Sequence, residues 1–110
     1  MYMLSGKNKK IKLEYMNDWS DTWRKRNHLD LRENKYLTLL DEQAILLGIS
    51  PLSQQAIVIY FGGLFKKNNW QRIESHYPYG GKPAWQLKHP KKIMMPLDMA
   101  LDRVMDIINH

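Results

Sequence analysis

Polar and apolar positions alternate over Lys10–Tyr15, which reads Lys, Ile, Lys, Leu, Glu, Tyr and predicts a short, half-buried edge strand. Beyond it the period lengthens. Asn17 or Asp18 is placed to cap a helix running to about Asn27, with Trp19 and Trp23 one turn apart. Arg24, Lys25 and Arg26 fall near its C-terminal end, where cations suit the helix dipole. Leu37, Leu40, Ala44 and Leu47 stand three or four apart, so a helix is expected from Asn34 or Lys35 to Leu47, with Gly48 as its stop. Ser50 and Pro51 have the form of an N-cap followed by proline at the first helical position, opening a further helix toward Lys67. Its Ile57-Val58-Ile59 run is β-branched and Gly62-Gly63 interrupts it, so a buried strand over Ala56–Phe61 is the alternative.

Asn69–Tyr77 and Pro83–His89, on either side of Pro78-Tyr79-Gly80-Gly81, read as a β-hairpin. From Pro96 the apolar stripe Leu97, Leu101, Val104, Met105 and Ile108 predicts a final helix whose solvent face carries Asp98, Asp102 and Asp106. The two helices meeting at Gly48-Ile49-Ser50 resemble a helix-turn-helix over about Asp41–Tyr60, with Ala44 four residues before the glycine. Gln54 departs from that pattern, standing where such motifs bury an aliphatic residue, and an ordinary αα-hairpin is the alternative. The resemblance implies a second helix in the major groove, with Ser53, Gln54 and Gln55 near base edges and glutamine paired to adenine. A hairpin following such a pair is the winged-helix arrangement, its wing at Asn69–His89. The expected fold class is therefore α+β: a small helical domain with a C-terminal β-hairpin, winged-helix-like, plus a final amphipathic helix. Residues 1–10 are expected to form a flexible basic arm, 11–95 the winged-helix-like domain, and 96–110 a helix packed on the core or making a homodimer through 97–108.

The length of 110 residues suits one folding unit, and 44% hydrophobic against 25% charged residues is a globular balance. The net charge of +6 is distributed in blocks. Residues 1–35 hold nine Lys/Arg against five Asp/Glu, 36–65 none against two, 66–92 seven against one, and 93–110 one against three. Such blocks place a positive face on a folded domain, which attracts polyanions by counterion release and steering. Lysines that merely solvate a surface are the plainer alternative. Lys66, Lys67, Arg72, Lys82, Lys88, Lys91 and Lys92 are the expected phosphate contacts, with Tyr77 and Tyr79 of the loop beside a backbone or in a minor groove. Trp70 and Trp85 read as cross-strand partners packed on the helices. Duplex DNA is the favoured partner because the helix pair supplies a groove reader. An acidic protein surface, engaged by the same basic-aromatic face, is the alternative.

The chain has no cysteine, which excludes disulfides, thiolate metal sites and cysteine nucleophiles and makes the cytoplasm the expected compartment. The first ten residues lack a secretory core, and Ala56–Phe61 is far short of the roughly 20 apolar residues that span a bilayer. No membrane contact is expected. His28, His76, His89 and His110 show no metal-ligand spacing, and Glu74 near His76 supplies two ligands at best. Gly62-Gly63 and Gly80-Gly81 lack the context of a phosphate-binding loop. No catalytic residue, metal or cofactor is expected. What remains is a nucleic-acid binder, as a small regulator or replication accessory, or else an inhibitor or adaptor.

Overall fold

Ala44–Ile49 carries no polar side chain, and a strand of that composition is stable only when both its faces are covered. The computed structural model, which describes residues 1–6 and 9–110, places it at the centre of three layers. In chain order the elements are β1 (Tyr2–Ser5), β2 (Lys10–Asn17), α1 (Thr22–Lys25), β3 (His28–Arg32), α2 (Glu33–Asp41), β4 (Ile45–Ser50), β5 (Gln55–Tyr60), β6 (Trp70–His76), β7 (Lys82–Lys88), β8 (Met95–Pro96) and α3 (Leu97–Asn109). Five strands make one sheet in the order β1-β2-β4-β5-β8, and three make a second in the order β3-β7-β6. Among the described residues only the β2–β4 pairing is parallel.

The period-two geometry of β4 divides its side chains between two cores. Ile45 and Leu47 join Ile11, Ala56 and the buried stripe Ala100, Val104 and Ile108 of α3. Leu46 faces the other way with Ile57 and Ile59, against Leu29, Leu31, Trp70 and Leu87 of the three-stranded sheet and Tyr36 and Leu39 of α2. Each such aliphatic side chain contributes about 1.5–3 kcal/mol on leaving water, so β4 anchors both layers. Gly48 lies in the same strand. A Cβ there would stand 2.5 Å from the Trp23 ring, so the glycine makes room for α1 rather than ending a helix.

The small helical, winged-helix-like domain is overturned: among the described residues, eight strands accompany three α-helices, and the strands begin at the N-terminus. The helix expected to Leu47 ends at Asp41. Gln43 adopts a positive φ of 49°, its N–H bonding back to the Leu40 carbonyl, and the chain straightens into β4. Ser50-Pro51 caps no helix, because Pro51–Gln54 is a hairpin turn closed by Gln54 N–H to Pro51 O at 3.3 Å, with Ser50 paired to Gln55. The β-branched run therefore lies in β5, where burial from two sides outweighs a local cap signal. Among the described residues no helix-turn-helix forms.

Shorter corrections follow from the same layering. The helix expected from Asn17 to Asn27 is the single turn α1, which buries Trp23 and leaves Trp19 exposed. β2 lies inside its sheet, with β1 at the edge, so Tyr2–Ser5 of the expected arm is a paired strand. Lys7 and Asn8, also assigned to that arm, lie outside the described residues. The hairpin forms as β6 and β7, but β3 pairs with β7 and makes it part of a core sheet instead of a projecting wing. In α3 the inward stripe is Ala100, Val104 and Ile108, while Leu101 and Met105 are half exposed. Among the described residues, no helix is long and apolar enough to cross a membrane.

Candidate nucleic-acid interface

The three-stranded sheet has two ends, and its charges behave differently at each. At the first, Lys88 closes β7 opposite His28 of β3, and the chain turns through His89 into a 3-10 turn over Pro90–Ile93. Asn27 ties this turn to α1: its carbonyl accepts the His89 N–H at 3.0 Å and its Oδ1 accepts the Lys91 N–H at 3.3 Å. The side chains of Asn27 and His89 also meet, at 3.0 Å. That clamp joins the segment carrying Lys25 and Arg26 to the one carrying Lys91 and Lys92. A second 3-10 turn, Lys67–Asn69, leads into β6 and carries Lys66 and Lys67 to the same end.

Between the two turns lies an open cleft of about 410 Å³, lined by Leu87, Ile93, His89, Asn68, Asn69, Lys88 and Lys92. An adjoining hollow of about 210 Å³ shares Asn69, Leu87 and Ile93 and reaches Phe65 and Trp70. Lys25, Arg26, Lys66, Lys67, Lys88, Lys91 and Lys92 are all exposed, and among the described residues none of them forms an ion pair. The segments 25–28, 66–70 and 87–93 contain no Asp or Glu. Seven cations therefore border this end of the sheet, none in an ion pair among the described residues.

From the middle of the sheet to the hairpin tip the charges are taken up internally, in a network that reaches back to His28. Arg72 donates to Glu33 through Nε at 2.5 Å and also engages Glu74, while Trp85 Nε1 donates to the same Glu33 at 3.1 Å. The Arg72 hydrogen bond holds the Glu33 carboxyl below the usual carboxylate range, against a smaller upward pull from burial. Asp30 receives His76 at 2.8 Å, His28 at 3.2 Å and Gln86 at 2.9 Å. The hairpin tip folds onto this cluster, with Tyr79 OH donating to the Asp30 carbonyl at 2.9 Å and Arg32 lying 5.3 Å from the Tyr79 ring centre. Burial, then the nearby Asp30, pushes the Tyr79 phenol up, with Arg32 opposing.

The expected site residues thus separate into three groups. Lys66, Lys67, Lys88, Lys91 and Lys92 lie on the segments that border the Lys88 end. Arg72 and Tyr79 are committed to internal contacts between the middle of the sheet and the hairpin tip, where Tyr77 and Lys82 remain exposed. Ser53, Gln54 and Gln55 belong to the β4–β5 hairpin of the other sheet, and Ser53 donates to Asp21 at 3.3 Å, so no reader helix presents them. Lys25, Arg26, Asn68 and Asn69 were not anticipated at the site. The basic triplet was their visible signal, but the capping role assigned to it requires a longer helix than α1, and Arg24 alone is paired, with Asp21. Among the described residues, no group of three or more His, Asp or Glu side chains is arranged to hold a metal ion.

Fold and site together define a three-layer α+β protein with a cationic cleft at one end of its smaller sheet. No protein-family model, curated protein or solved structure matches the chain.

Proposed function

We propose that this protein binds nucleic acid through the cationic end of the three-stranded sheet, without a catalytic step. The observation that carries the reading is that seven exposed cations, none in an ion pair among the described residues, lie on three segments that contain no acid and border one end of the sheet. A polyanion with closely spaced phosphates gains most from such an array, since each neutralised phosphate releases a condensed counterion. Among the described residues no recognition helix favours duplex DNA, and the lysines alone favour no sequence. Electrophoretic mobility shift with labelled oligonucleotides tests the proposal. Affinity is expected to fall roughly a hundredfold or more between about 50 and 200 mM salt. Absence of binding at low salt by the folded chain would overturn it.

An acidic protein surface is the second reading, favoured by Leu64, which is 96% exposed beside Lys66 and suits an apolar anchor at a protein interface. Retention of one stoichiometric protein partner after nuclease treatment supports that reading over the first.

A further inference from the structure

We infer that the cleft between the Lys66–Asn69 and Pro90–Ile93 turns receives an unpaired nucleobase, so that the protein selects single-stranded over duplex nucleic acid. The inference rests on the nucleic-acid reading above and goes further by assigning roles within the cleft.

The cleft combines three chemistries that a single-stranded nucleotide needs at once. Ile93, with the edge of Leu87, gives an apolar part of the lining for the face of a base. Asn68 and Asn69 bring side-chain amides to the wall, and among the described residues neither amide makes a hydrogen bond, so each offers a donor pair and an acceptor to a base edge. Lys88 and Lys92 line the cleft for the flanking phosphates, with Lys66 at the adjoining hollow. At about 410 Å³ the cleft falls within the range of roughly 300–1,000 Å³ typical of pockets that enclose small ligands. The neighbouring hollow, which reaches Phe65 and Trp70, continues the apolar surface for the next base along the strand.

A duplex uses fewer of these features. Its base faces are stacked on one another and its pairing edges are occupied, so the apolar lining goes unused and the amides meet groove edges at most. A free acidic peptide would engage the lysines and leave the amide wall without a planar partner.

Fluorescence anisotropy of the full chain decides the matter with three labelled probes: a mixed-sequence single strand of about 12 nucleotides, the duplex of that strand, and an abasic strand with the same phosphates. The single strand is expected to bind about tenfold or more tightly than either of the others. Asn69→Ala and Ile93→Ser each reduce single-strand affinity several-fold and leave the abasic strand unaffected. Ile93 is 40% exposed, so its replacement is tolerated by the fold, and a thermal melt of each variant checks this. Equal affinity for all three probes, or unchanged single-strand binding by both variants, overturns the base-binding cleft while leaving salt-sensitive nucleic-acid binding intact. No binding by any probe overturns the broader reading as well. Displacement of the single strand by polyglutamate at equal charge concentration assigns the cleft to an acidic protein and overturns the inference.

Discussion

Along the middle of the three-stranded sheet Arg72 is gripped by Glu33 and Glu74, and Asp30 by two histidines; toward its Lys88 end, Lys88, Lys91 and Lys92 form no ion pair among the described residues. Arg72 and these lysines belong to the same basic stretch of sequence, yet the fold gives them opposite work. A paired cation has to surrender its carboxylate before it can meet a phosphate, whereas an unpaired one exchanges only water and loosely held counterions. Net charge along a chain therefore overstates the charge a partner meets.

The largest expected effect lies in the paired network. Asp30→Ala strips the acceptor from His28, His76 and Gln86 in a cluster whose carboxylate is 12% exposed, and should cost about 2–4 kcal/mol in urea unfolding. Nucleic-acid affinity of the folded fraction stays the same; a parallel loss of affinity would mean that the two regions are not separable. Next, Lys88→Glu combined with Lys92→Glu should lower oligonucleotide affinity about a hundredfold at low salt and shallow the salt slope by about 0.7 per lost phosphate contact. Unfolding free energy should move by no more than about 0.5 kcal/mol. Loss of stability on that scale or larger would show the lysines to be structural.

Arg72→Gln sharpens the contrast through pH. Because Glu33 ionises below its usual value of 4.5 in the folded chain, the pair contributes stability above that value and loses it as pH falls through the folded value. The melting-temperature gap between wild type and Arg72→Gln is therefore widest near neutrality and closes on acidification, while binding affinity at neutral pH changes by less than about twofold. The smallest effect concerns the hairpin tip. The raised Tyr79 phenol stays protonated in the folded chain, so its contribution is complete below the usual value of 10 and disappears as pH rises through the folded value. Burial also raises Tyr36, so ultraviolet titration should show a late-ionising group of phenols from which Tyr79→Phe removes one.

The hairpin and α3 were legible because their signals are local: a Pro-Tyr-Gly-Gly turn between alternating segments, and a long amphipathic stripe after Pro96. β4 was not, since a segment apolar at every position satisfies the helical and the strand period alike. The spacing of Leu37, Leu40, Ala44 and Leu47 ran across a helix end marked by a glutamine at positive φ, for which the sequence offers no glycine or asparagine cue. His28–Arg32 does alternate, but it has five residues, and its partner β7 is about 60 residues away. Of the candidate site, the lysines of 66–92 could be found by charge alone. Joining Lys25 and Arg26 to them required the Asn27–His89 clamp, and Ser53, Gln54 and Gln55 were drawn from a helix that does not form.

The central position of β4 has a consequence for how the chain comes into being. Emerging from a ribosome, Ala44–Ile49 finds β2 already made and β5 only a few residues behind, so its edges are satisfied early. Its faces are not. One waits for β7 to complete the opposing sheet, and the other stays bare until α3 has been synthesised. From the synthesis of β4 until that of α3 the nascent protein therefore holds an apolar ribbon it cannot yet hide, and closure of that face comes late.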